Sequence, residues 1–187
     1  MAERRAKDDW TVERVHRIPD DGRRYEIIDG ELFVTPSPVL RHQYSVVELC
    51  GVLLPYCKAV GLRLGQAPSD IAFSRRTLVQ PDAFVLPMNA ADRPPAEFAE
   101  VGRLMLAVEA LSPSTAGVDR NRKRRLYQRM LVPEYWIIDT EARAVERWLP
   151  DSREAQVFRD TIRWRPMESF DALVVDLVAV FRSVYGD

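Results

Sequence analysis

Two cysteines and two histidines in 187 residues exclude several classes of protein at once. Cys50 and Cys57 stand seven residues apart in one apolar stretch of helical spacing, where a disulfide within the helix is geometrically impossible. His16 and His42 are far apart and no cysteines sit at close spacing, so a structural zinc site is not expected. No basic-then-apolar leader opens the chain, and no apolar run approaches the ~20 residues of a membrane span. The expectation is a cytoplasmic protein without membrane contact. An excess of one charge is missing too: net charge −1 and a pI near 6.2 argue against blanket polyanion binding and leave room for a local basic patch. Lysine is scarce, with Lys7, Lys58 and Lys123 set against 24 arginines. Repeats, low-complexity tracts and linkers are also lacking. With 47% hydrophobic residues, the length predicts one domain over residues 1–187, its charged first nine residues frayed.

What is present centres on Leu104 to Asp139. Leu104-Met105-Leu106-Ala107-Val108 is short and apolar on both faces, as in a central buried strand, yet it runs into a carboxylate, Glu109, that needs a partner. Ser112-Pro113-Ser114-Thr115 reads as a turn with capping residues. Asp119 to Leu131 has helical spacing until Pro133, and Glu134 to Asp139 reads as a second strand. Within that helix Lys123, Leu126, Tyr127 and Met130 share one stripe, while Arg122, Arg125 and Arg129 fall on the other side. Lys123 is therefore either a cation turned inward, which is costly unless paired, or a marginal lysine that snorkels to water.

Before this region, Trp10 to Val15 suits a short helix. Arg24 to Ile28 and Glu31 to Thr35 flank Asp29-Gly30, a strong two-residue hairpin signal. Glu26 shares a face with Ile28, as an edge residue or as part of a site. His42 to Ala59 reads as a helix with Val46, Val47, Cys50, Leu53, Leu54 and Cys57 on one side, kinked or ended at Pro55. His42, in its first turn, suits a cap or a surface position. Gly61 to Gly65 closes that helix and Asp70 to Phe73 opens a strand. Val79 to Leu86 reads as one strand in which Asp82, after Pro81, shares a face with Phe84 and Leu86, as a turn residue or as a site residue. Pro87 to Glu100 is a loop with at most one helical turn. Downstream, Ala144 to Leu149 pairs with the preceding strand, Gln156 to Phe158 and Thr161 to Trp164 suggest a hairpin, and Leu173 to Tyr185 a closing helix.

Asp82, Glu109 and Lys123 point to one chemistry. Two carboxylates converging near a strand edge make an oxygen-rich site for Mg²⁺, which takes few protein ligands, several waters and a phosphate oxygen. Such an ion acidifies a bound water and offsets phosphate charge, while a lysine helps orient or deprotonate that water. The Ala110 carbonyl is a further candidate ligand. The reaction class is metal-assisted phosphodiester hydrolysis.

Several blocks carry a resemblance: Arg24-Tyr25-Glu26-Ile27-Ile28-Asp29-Gly30-Glu31-Leu32, Gln80-Pro81-Asp82, Val108-Glu109-Ala110-Leu111-Ser112-Pro113-Ser114-Thr115, Asp119 through Lys123 to Tyr127, and Val132-Pro133-Glu134-Tyr135-Trp136-Ile137-Ile138-Asp139. In this order, over nearly the whole chain, they resemble the bacterial Uma-two family of restriction-endonuclease-like proteins with the PD-(D/E)XK nuclease fold. The resemblance implies an α/β architecture, a central mixed sheet flanked by helices with an N-terminal β-hairpin. It also implies a site in which Asp82 and Glu109 bind Mg²⁺, with Mn²⁺ as a substitute, Lys123 assists the attacking water, Glu26 adds charge and Tyr127 shapes the wall. In the broader nuclease pattern the lysine lies two residues after the glutamate, where this chain has Leu111, and Lys123 is the substitute. Leu131 stands where the family usually has glycine. The implied activity is a metal-dependent DNA endonuclease acting as a homodimer. The alternative is a nuclease-fold module that binds nucleic acid or protein without hydrolysis. Arg75-Arg76 and the helix arginines serve as phosphate contacts or as an ordinary solvated face.

Overall fold

The computed structural model describes residues 9–35, 37–113 and 115–187. The expectation of a frayed start falls, for residues 1–8, outside these, as does Ser114 of the turn before the inward lysine. The chain opens on a short helix, α1 (Val12–Val15), capped by Thr11, and then forms the hairpin β1 (Arg24–Ile28) and β2 (Glu31–Thr35). Asp29 and Gly30 at its tip have φ of 53° and 83°, the left-handed pair that a two-residue turn of this kind requires. Helix α2 (Leu40–Ala59) follows, then β3 (Arg63–Gln66), β4 (Ile71–Ser74), β5 (Thr77–Val79) and β6 (Ala83–Leu86). After a loop with one 3-10 turn, Phe98–Glu100, comes β7 (Leu106–Ala110). A helical run joins it to β8 (Tyr135–Asp139): α3 (Ala116–Val118), a π-helical segment Asp119–Lys123, and α4 (Arg124–Arg129). The chain ends with β9 (Ala144–Trp148), β10 (Gln156–Phe158), β11 (Thr161–Trp164), β12 (Leu173–Asp176) and α5 (Leu177–Tyr185).

A six-stranded mixed sheet in the order β10-β9-β8-β7-β6-β3 is the centre, with β7 and β8 its parallel pair. Parallel neighbours need a crossover, which the helical run provides. The hairpin joins β5 and β4 in a second sheet, β2-β1-β5-β4, and β11 pairs with β12. The expected α/β architecture, with its central mixed sheet, flanking helices and N-terminal hairpin, is thus present.

Strand alternation decides what each face carries. Leu106, Val108 and Ala110 pack with Trp136 and Ile138 against the inner faces of α2 and α5. Ala107 turns the other way with Phe84, Leu86, Tyr135 and Ile137, under Leu126 and Tyr127 of α4 and Ile28 and Val79 of the second sheet. Glu109, two residues after Ala107, belongs by the same alternation to this second face.

Several expectations are corrected. Val79 to Leu86 is two strands in different sheets, because Pro81 has no N–H to give a ladder and the chain breaks at Gln80-Pro81-Asp82. Of Gly61 to Gly65, expected to close a helix, the last three residues belong to β3, an edge strand against β6. β10 pairs with β9 and β11 with β12, so the two do not form a hairpin together. Leu173–Asp176 is strand; Asp176 accepts the Ala179 N–H at 2.9 Å and so caps α5, a start signal that apolar periodicity overran. On α2 the inward stripe is His42, Ser45, Val46, Leu49, Leu53 and Cys57, while Val47 and Leu54 face solvent. Pro55 does not end α2, since it and Gly51, whose carbonyl it frees, are both exposed to water. Met130 lies past the end of α4 and is exposed, so the inward stripe there stops at Tyr127.

Candidate functional site

Because β6 runs antiparallel to β7, with Ala83 opposite Val108, the start of β6 lies beside the end of β7. Asp82 thereby comes alongside Glu109 and Ala110. Its Oδ2 accepts the Ala110 N–H at 2.9 Å and lies 3.0 Å from His42 Nε2, and its Oδ1 accepts from Arg24 Nη1 at 2.8 Å. Glu109 Oε1 accepts from Lys123 Nζ at 2.9 Å and from the Tyr127 hydroxyl at 3.2 Å. Glu26 comes from the second sheet, where β1 alternation puts it on the face of Ile28. Its Oε2 lies 2.9 Å from Lys123 Nζ, and its Oε1 accepts the Gln80 N–H at 2.7 Å. Asp119 Oδ1 stands 3.8 Å from the same ammonium. Lys123 is 5% exposed, which decides between the two sequence readings: it is turned inward and does not snorkel. Arg24, Glu26, His42, Asp82, Glu109 and Lys123 border one cavity of about 210 Å³, which Ala110 and Asp119 also line. Glu26, Asp82, Glu109, Ala110 and Lys123, the five residues expected to form a site, are therefore together.

The electrostatics follow from crowding acids in a dry place. Burial alone would raise the Asp82 carboxyl, but the His42 hydrogen bond and charge, then Arg24 and the Ala110 N–H, hold it well below the usual carboxylate range. Burial pushes Glu109 up against the pull of Lys123, and Asp82, Asp119 and Glu26 push it further. Asp119 is pushed up to about 6, again by burial first, with Lys123 and a Thr115 hydrogen bond opposing. Burial works against the Lys123 ammonium, yet Glu109, Glu26 and Asp119 outweigh it and keep the lysine protonated beyond its ordinary range.

Which groups could hold a metal is a question of donors. Among the described residues no three His, Cys, Asp or Glu side chains are grouped closely enough to make an all-protein cage. A small hard cation that takes one or two carboxylates and keeps its waters makes no such demand. Four buried carboxylates, Glu26, Asp82, Glu109 and Asp119, share this pocket with two permanent cations, Lys123 and Arg24. The acids outnumber the permanent cations, so the pocket favours an added positive charge. The donor chemistry fits Mg²⁺ or Mn²⁺, for which Asp82, just before β6, and Glu109, on β7, are the candidate ligands.

The Uma2 family, described as "Putative restriction endonuclease", matches residues 12–178. The chain belongs to this family. A structure titled as a putative nuclease belonging to DUF820 from Anabaena variabilis ATCC 29413 shares the fold with a TM-score of 0.73. It is 18% identical in sequence, and the match covers 94% of this chain and 99% of that one. No curated protein matches the chain in sequence.

In this Uma2 chain, sequence reading missed three residues of the site. His42, expected at a cap or on the surface, is buried against Asp82; the spacing His42, Val46, Leu49, Leu53 was the available signal for an inward position. Arg24 shares the β1 face with Glu26 and Ile28, and Asp119 stands i, i+4 from Lys123. Tyr127, expected in the cavity wall, lies behind Glu109, fully buried, and acts on it through the hydroxyl. Leu111, at the usual lysine position, is half-buried against the apolar cluster beneath α4. Most of the arginines weighed as phosphate contacts have acids of their own. Arg75 pairs with Glu13 at 3.4 Å, Arg76 with Asp9 at 2.6 Å, Arg122 with Glu31 at 3.2 Å and Arg129 with Asp29 at 2.8 Å.

Proposed function

We propose that the chain is a divalent-metal-dependent nuclease that hydrolyses phosphodiester bonds of DNA, with Asp82 and Glu109 holding Mg²⁺ or Mn²⁺. The observation that carries this reading is the surplus of buried acids around one cavity at the ends of β6 and β7. Such an ion, when bound, supplies an acidified water and offsets charge on the scissile phosphate. The chain's own groups do the rest. His42 and the Ala110 N–H fix the Asp82 carboxylate from two directions, the kind of outer support that orients a ligand. Glu109 Oε1 is taken by Lys123 and Tyr127, which leaves Oε2 as the oxygen for an ion in this reading. Lys123 is held protonated, so it is no base toward water; its part is to position Glu109 and Glu26 and to keep positive charge beside the reaction. Glu26 anchors that lysine and, through the Gln80 N–H, the turn that leads to Asp82. The Ala110 carbonyl is the further metal ligand in this reading.

A second reading, a nuclease-fold module that binds without cutting, is favoured by two observations. Both Asp82 oxygens already have partners, and the position two residues after Glu109 is a leucine. Incubation with supercoiled plasmid separates the two. Nicked and linear products are expected with Mg²⁺ or Mn²⁺, lost in EDTA. Asp82→Ala and Glu109→Ala should lose more than roughly 100-fold in rate, since outer partners of metal ligands alone are worth about 10- to 100-fold. Intact plasmid under every metal condition, with retained binding, would establish the module instead.

A further inference from the structure

We infer that Arg24 occupies the place of the metal at Asp82 and, once an ion is bound there, becomes the group that grips the phosphate; this rests on the metal-site reading above. The Asp82 carboxylate is held by three donors, two on Oδ2 (the Ala110 N–H and His42) and Arg24 alone on Oδ1, so an ion approaching the less crowded oxygen meets Arg24. The Ala110 N–H belongs to a strand paired on both sides, and His42 is buried on the inner face of α2. Arg24 is different in each respect. Its side chain is long and 20% exposed, and it reaches Asp82 through a single 2.8 Å contact from Nη1. Its other hold, on the Gln80 carbonyl, is 3.4 Å long.

Its position supports the exchange. Arg24 and Asp82 line both the 210 Å³ cavity and a second one of about 230 Å³ reaching Gln43 and Gln66, so the guanidinium has room on either side of the carboxylate. A divalent ion and a guanidinium on one buried carboxylate repel strongly at low local dielectric. The displaced arginine then stands at the mouth of the site with its planar fork free, and that fork matches phosphate oxygens. In the metal-free protein the same residue offsets the charge of Asp82.

Two measurements on Arg24→Gln test this. The first is calorimetric titration with Mn²⁺ without nucleic acid, where the variant is expected to bind about tenfold more tightly than the parent, the scale of one charge-assisted hydrogen bond removed from competition. The second is fluorescence anisotropy of a short labelled duplex in EDTA and in Ca²⁺, with the duplex checked to be intact. The loss of duplex affinity on substitution should be at least about fivefold greater in Ca²⁺ than in EDTA, a coupling between ion and arginine. Equal losses in the two conditions overturn the inference, since Arg24 would then contribute only its charge. Weaker Mn²⁺ binding in the variant also overturns it, since Arg24 would then organise Asp82 for the ion. Should Arg24→Gln not fold, Arg24→Lys carries the same comparison, and a ratio of one again overturns the inference. A parent protein that binds no Mn²⁺ sinks the metal-site reading itself, whereas Mn²⁺ binding that Asp82→Ala removes leaves that reading standing whatever Arg24 does.

Discussion

Asp119, carried on the same π-helical segment as Lys123, links the site to pH. Its carboxyl is 2% exposed and is pushed from 3.8 up to about 6, chiefly by burial. A carboxyl raised in this way favours the fold while it is protonated. Its contribution is complete below about pH 4 and is lost as pH rises through 6. Glu109 is raised in the same direction, whereas Asp82 is depressed and loses its pairing only in strong acid. Urea unfolding of the metal-free protein should therefore give lower stability at pH 7 than at pH 5. Asp119→Asn should reduce that difference by on the order of 1–3 kcal/mol, from the size of the shift and its burial. An unchanged difference would mean that Asp119 is not the group responsible. At this scale sequence reading reached Asp82, Glu109, Glu26 and Lys123 because each is a charge where apolar periodicity calls for none. It missed Arg24 because a cation at the start of a strand breaks no pattern. His42 was missed because a histidine in a helix's first turn suits a cap equally well.

At the scale of elements, β3 shows what local patterns leave out. Its four residues, Arg63-Leu64-Gly65-Gln66, contain no run that announces a strand, and the edge of the central sheet supplies the reason for their conformation. Gly65 sits opposite Phe84, and a Cβ there would stand 2.4 Å from the Phe84 ring. Gly65→Ala should destabilise the protein by about 1–3 kcal/mol, the usual cost of overpacking. Phe84→Leu, which makes room, should recover part of that loss in the double variant. Chemical denaturation of the four proteins checks it, and additive effects would show that the ring is not the obstacle. The elements that were legible carried a local signature, such as Asp29-Gly30 at the hairpin tip or the apolar core of β7. The breaks and pairings that were not legible, at Pro81, between β9 and β10 and at Asp176, depend on which sheet a segment joins. That choice is made by the whole core. The π-helical segment is of this kind, and it turns both Asp119 and Lys123 into the protein.

On the scale of the whole molecule, two sheets and a helical crossover bring acids from distant stretches of sequence to one point. The break before β6 contributes Asp82, the central sheet Glu109, the second sheet Glu26, and the crossover Asp119 and Lys123. The mixed sheet with its flanking helices is shared with the Anabaena variabilis protein at 18% identity, which fits an architecture kept by core patterning through wide divergence. Among the described residues no helix is long and apolar enough to cross a membrane. In the proposed reading a divalent ion complements this pocket, where burial first and neighbouring acids second raise Glu109 and Asp119. A crystal grown or soaked with Mn²⁺ and measured at the manganese edge tests that claim most directly. An anomalous peak within bonding distance of both Asp82 and Glu109, with Arg24 withdrawn from Asp82, is the predicted result. A fully occupied manganese site elsewhere with this pocket empty, or no peak at saturating Mn²⁺, would contradict it.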